Sequence, residues 1–85
     1  INVTGASELV INENGDNVNF RVEGDNDQNT LFIKGSDDSF NIGTATSIAD
    51  VKFNVSASNA VMLAKGTSAE RPNVGVAGML RYNTS

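Results

Sequence analysis

The chain has 85 residues and a formal charge of −4, and Val, Ile, Leu and Phe supply only 22 of those residues against 12 Asn, 8 Gly, 8 Ser and 6 Thr. With no Cys and no His it offers no disulfide, no ordinary zinc site and no nucleophilic triad of the usual kind, and six scattered Lys and Arg make no patch for a phosphate backbone. No apolar run approaches the roughly 20 residues that span a bilayer, and a core this thin in a chain this short leaves self-association as the common stabilising device.

The first expected strand runs from about Glu8 to Glu13 and holds Leu9-Val10-Ile11, apolar on successive residues. Asn14-Gly15-Asp16 follows and is the strongest hairpin signal in the chain. Val18-Asn19-Phe20-Arg21-Val22 then alternates with period two, the pattern of a strand with one buried face. The cluster Gly24-Asp25-Asn26-Asp27 ends it, because Gly and Asn tolerate positive φ and Asx side chains bond nearby amides.

A strand is expected over Thr30 to Lys34, a turn at Gly35-Ser36-Asp37-Asp38, and a further strand over Ser39 to Gly43. Thr44 to Asp50 has no period and reads as a loop or one helical turn. Val51-Lys52-Phe53-Asn54-Val55 alternates again, and Ala60 to Lys65 carries Val61-Met62-Leu63. Gly66 to Gly78 is irregular, with the only proline, Pro72, biasing Arg71 to an extended conformation. It reads as a crossing segment before a last strand over Gly78 to Asn83.

The fold expected is therefore all-β, built of short antiparallel strands and hairpins. Residues 1–65 read as a β-repeat module, and 66–85 as the crossing segment and the start of a following one. The phrase opens on Ile1 and ends at Tyr82-Asn83-Thr84-Ser85, so a fragment of a longer polypeptide is expected. A 22-residue slide places Leu9-Val10-Ile11 on Leu31-Phe32-Ile33, Asp16 on Asp38 and Val18 on Phe40. Repeats of this kind bury their apolar faces only by stacking on neighbours. The triplets apolar on successive residues point the same way, since both faces of such strands want cover. The expected self-association core is Val18, Phe20, Val22, Leu31, Ile33, Phe40, Ile42, Val51, Phe53 and Val55. A simpler reading of a triplet is that one member, such as Phe32, is an exposed apolar residue.

Two stretches carry a resemblance. Asn19 to Ile33, with Arg21-Val22-Glu23-Gly24-Asp25 at its centre, and Phe40-Asn41-Ile42-Gly43-Thr44 after it, resemble a module of phage tail-fibre and virion structural proteins, especially of marine and cyanobacterial phages. Gly66-Thr67-Ser68-Ala69-Glu70-Arg71-Pro72 and Gly78-Met79-Leu80-Arg81-Tyr82-Asn83-Thr84 resemble a second segment of the same proteins. The family phrase has a proline soon after Thr44, where this chain has Ala45-Thr46-Ser47-Ile48. The resemblance implies a homotrimeric β fibre segment in a virion appendage. Its implied partners are further copies of itself, other virion proteins and a host receptor. It implies no cofactor and no catalysis.

The residues formally able to carry other chemistry also have plainer roles. Lys65 with Ser68 is formally a Ser-Lys pair, and Asp37-Asp38 or Asp25 with Asp27 formally supply two carboxylates. All sit in expected turns or strand ends, where solvated turn residues are the simpler account. Asp25-Asn26-Asp27 and Asp37-Asp38 could lend oxygens to calcium, but the distal Glu of an EF-hand is missing after Asp25-Asn26-Asp27. The sequons at Asn2, Asn54 and Asn83 are what an Asn-, Ser- and Thr-rich chain produces by chance. The loops Asp25 to Gln28 and Ala69 to Val76 are the candidates for contacting a glycan or another protein. Arg71 and Arg81 are placed to pair with Glu70 or with a neighbouring copy.

Overall fold

The computed structural model describes residues 7–85, and the sequon at Asn2 lies outside them. Six short strands form among the described residues: β1 Phe20–Val22, β2 Leu31–Lys34, β3 Ser39–Ile42, β4 Phe53–Val55, β5 Lys65–Gly66 and β6 Tyr82–Asn83. The described residues are all-β, with a single 3-10 turn at Ser68–Glu70 among them. β1 to β4 make one sheet in sequence order, and β5 and β6 make a second.

The two alternating segments and the strands expected over Thr30 to Lys34 and Ser39 to Gly43 form the larger sheet. β1 and β2 run antiparallel, with Phe20 opposite Ile33 and Val22 opposite Leu31. The link between them is stitched by its own Asx and Thr groups: Gly24 N–H and Thr30 Oγ1 both donate to the Asp27 carbonyl (2.8 and 2.9 Å), and Asn29 N–H donates to Asp27 Oδ1 (2.8 Å). β2 and β3 form a hairpin in which Ile33 faces Phe40 and Phe32 faces Asn41. Its turn closes through Asp38 N–H to the Lys34 carbonyl, with Asp38 in the left-handed region at φ 58°. Gly35 is required there for space, because a Cβ would lie 2.3 Å from the Val18 carbonyl oxygen.

β4 departs from the antiparallel expectation and joins β3 in parallel, Phe40 beside Phe53 and Ile42 beside Val55. Parallel neighbours need a crossover, and residues 43–52 supply it. This segment crosses the face that carries Phe32, Asn41 and Asn54. Thr46 accepts from Asn54 Nδ2 through its carbonyl (3.4 Å), and Ser47 Oγ accepts from Lys34 Nζ (3.3 Å) and donates to Asp37. At the start of the crossover Gly43 takes φ 81°, with the Ser56 carbonyl 2.7 Å from where a Cβ would sit.

Two expected strands do not form. Leu9-Val10-Ile11 has no strand partner: Asn12 turns left-handed (φ 67°) and its side chain bonds Asp16 N–H and C=O (3.0 and 2.8 Å), so the Asn12–Gly15 turn closes without pairing its flanks. Val61-Met62-Leu63 is extended coil, and only Lys65 at the end of that segment pairs. β5 and β6, at either end of the irregular segment, lie side by side in parallel, Lys65 beside Tyr82 and Gly66 beside Asn83. The bonds from Tyr82 N–H to the Ala64 carbonyl and from Thr84 N–H to the Gly66 carbonyl (both 2.8 Å) hold the two ends.

Phe32, 7% exposed, is the only buried hydrophobic side chain among the described residues; Ser39 and Asn41 are buried with it. The radius of gyration is 17.0 Å, against about 12 Å for a compact domain of this length. The accessible surface is 7120 Å², so folding hides only about 45% of the extended-chain surface, where small domains hide about 60%.

Candidate self-association face

Each strand of the larger sheet sends alternate side chains to opposite faces, and the register sorts them cleanly. On one face Phe20, Ile33, Phe40 and Phe53 form a continuous row across all four strands. Val22, Leu31, Ile42 and Val55 form a second row beside it, two residues along each strand on the same face. The Phe40 and Phe53 rings meet edge to face, centroids 5.2 Å apart at 88°, an arrangement aromatic quadrupoles favour.

Eight of the ten expected core residues thus share one sheet face. None is buried: Phe53 is 59% exposed, Val22, Ile33 and Phe40 are also exposed, and Phe20, Leu31, Ile42 and Val55 are half-buried. Val18 and Val51 fall outside the strands. Val18 packs its backbone against Gly35, and Val51 closes a turn through its N–H to the Ile48 carbonyl (3.1 Å). Beside the row, Leu9, Ile11 and Val18 complete with Phe20 and Ile33 an apolar concavity of about 350 Å³, on which Asp16 and Asp38 also border.

The opposite face is the polar one, and it is the covered one. Asn41, fully buried, donates through Nδ2 to Ser39 Oγ (2.9 Å) and the Phe32 carbonyl (3.4 Å) and accepts from Asn54 Nδ2 (3.3 Å). Ser39 Oγ in turn donates to Asp37 Oδ1 (2.6 Å). No buried side-chain nitrogen or oxygen among the described residues lacks a partner. The sequence reading missed this network, treating Ser39, Asn41 and Asn54 as the solvent side of alternating strands. The signal available was the run of short hydrogen-bonding side chains at every polar position of β3 and β4.

The residues weighed for chemistry are arranged for structure. Hydrogen bonds from Ser39 and Ser47 hold the Asp37 carboxyl below its ordinary pKa, with the Lys34 ammonium adding to the effect. Asp27 is occupied as a turn acceptor. Ser68 Oγ accepts from Asn83 Nδ2 (3.2 Å), and its N–H donates to Ser85 Oγ (2.7 Å). Glu70 Oε1 accepts from Thr67 N–H (2.8 Å), which with the nearby Arg81 guanidinium keeps its carboxyl below the usual range. Arg81 itself donates to the Thr67 carbonyl (3.4 Å). The described residues contain no cluster of three carboxylates that could hold a metal ion, and no helix among them is long and apolar enough to cross a membrane.

In comparisons with known proteins, no family model, no curated protein and no solved structure matches the chain.

Proposed function

We propose that this chain is a non-catalytic structural segment of a phage tail fibre or other virion appendage, which supports host attachment by associating with further copies of itself, as a homotrimer. The row Phe20-Ile33-Phe40-Phe53 carries the reading. An apolar stripe across a whole sheet, open to solvent while the polar face is sealed by the crossover, is what an interface needs and what a lone soluble domain avoids. The low surface burial and the resemblance of Asn19 to Ile33 with Phe40 to Thr44, and of Gly66 to Pro72 with Gly78 to Thr84, to virion fibre segments support the same conclusion. The non-catalytic part rests on the missing His and Cys and on Asp37, whose pKa is shifted opposite to what a general acid requires.

Native mass spectrometry of the chain tests the proposal. A trimer is expected, and Phe40→Asp together with Phe53→Asp is expected to yield monomer. A well-folded wild-type monomer at micromolar concentration would overturn it.

A further inference from the structure

Charge is divided unevenly along the chain. Nine of the ten Asp and Glu, but only three of the six Lys and Arg, precede residue 57, so residues 1–56 carry −6 and residues 57–85 carry +2. The acidic part contains the apolar concavity of Leu9, Ile11, Val18, Phe20 and Ile33, with Asp16 and Asp38 on its border. Lys34 also borders it, but its ammonium is turned to Ser47.

The basic part presents a matching feature. From Pro72 to Leu80 the chain has no charged residue, and Arg71 and Arg81 bracket it. Val74 (76% exposed), Leu80 (72%), Val76 and Met79 stand out into solvent on this loop. The loop is fixed at its base by the β5–β6 pairing and tightened by Met79 N–H to the Val76 carbonyl (3.1 Å). It is therefore an apolar protrusion in a positive setting, held on a local scaffold.

We propose that the contact between copies is heterologous: the 72–80 loop of one copy seats in the concavity beside β1 of the next, with Arg71 and Lys65 facing Asp16 and Asp38. This rests on the self-association reading and adds, beside the apolar row, the surfaces that set one copy against the next. A heterologous contact closes into a ring when its rotation permits, so three copies each give one loop and receive one. Apolar fit supplies the contact, and opposite charge sets which surfaces meet.

Charge reversal tests it, with association followed by sedimentation and native mass spectrometry at low salt. Lys65→Glu with Arg71→Glu should weaken association about tenfold, and so should Asp16→Lys with Asp38→Asn, the effect fading as salt shortens the screening length. All four substitutions in one chain should restore it. Net charge alone predicts otherwise for Asp16→Lys with Asp38→Asn, which brings the chain nearer neutrality and would then associate more tightly. Val74→Asp, at an exposed position that cannot unfold the sheet, should also weaken association. Trimers that form normally in every one of these variants overturn the heterologous contact and leave the apolar row as the interface. A monomeric wild-type chain, or one whose loop is bound within the same copy at all concentrations, overturns it as well.

Discussion

At Asn41 a side-chain amide sits where a hydrophobic residue would ordinarily pack, bonded to Ser39, Asn54 and a main-chain carbonyl. Removing it strands partners rather than packing, so Asn41→Ala should cost about 1 to 3 kcal/mol, read as a lower midpoint in chemical unfolding. Asp37 anchors the same network from the turn. Because its folded pKa lies below the unfolded value of 3.8, its contribution is present above about pH 4 and is lost as pH falls through the folded pKa. Glu70 behaves likewise, from its own value of 4.5. Thermal midpoints should therefore drop as pH is lowered from 5 to about 2, and the Asp37→Asn, Glu70→Gln variant should show a shallower fall. Asn is so frequent in this sequence that a structural Asn in a strand is easily taken for one in a turn; the short hydrogen-bonding side chains of β3 and β4 are the local signal, and the register, with Asn41 beside Asn54, shows its use.

Among the elements, the alternating segments were legible. Phe20–Val22 and Phe53–Val55 fall inside the segments that alternate with period two, and Leu31–Lys34 and Ser39–Ile42 inside the strands expected over Thr30 to Lys34 and Ser39 to Gly43. The parallel entry of β4 was not, because pairing direction depends on where the 43–52 crossover runs, and its aperiodic Thr, Ala and Ser residues give no local sign of that. Leu9-Val10-Ile11 and Val61-Met62-Leu63 have strand-like composition without a partner, and a strand exists only in a ladder. The middle triplet divides its work: Phe32 is buried under the crossover, while Leu31 and Ile33 lie on the open apolar face. The reading of Phe32 as an exposed residue is thereby corrected. Phe32→Ala should accordingly cost about 3 to 5 kcal/mol of the chain's own stability, whereas Phe53→Ala should leave a dilute chain nearly unaffected and weaken its association. Chemical unfolding of each variant at low and at high concentration separates the two roles.

For the molecule as a whole, the unusual quantity is 7120 Å² of accessible surface on 8.9 kDa, where a compact monomer of that mass has about 4800 Å². Composition indicated a thin core, and the structure locates the deficit on one sheet face and on the 72–80 loop. The open apolar row also changes what a melting experiment measures. When burial of Phe20, Ile33, Phe40 and Phe53 is completed by other chains, the unfolding midpoint ceases to be a constant of the sequence and rises with protein concentration by mass action. Dilution then becomes a denaturant, and refolding slows with it because chains must first collide. Whatever makes such a chain would have to gather its copies, by local synthesis or by tethering, before any one of them completes its fold.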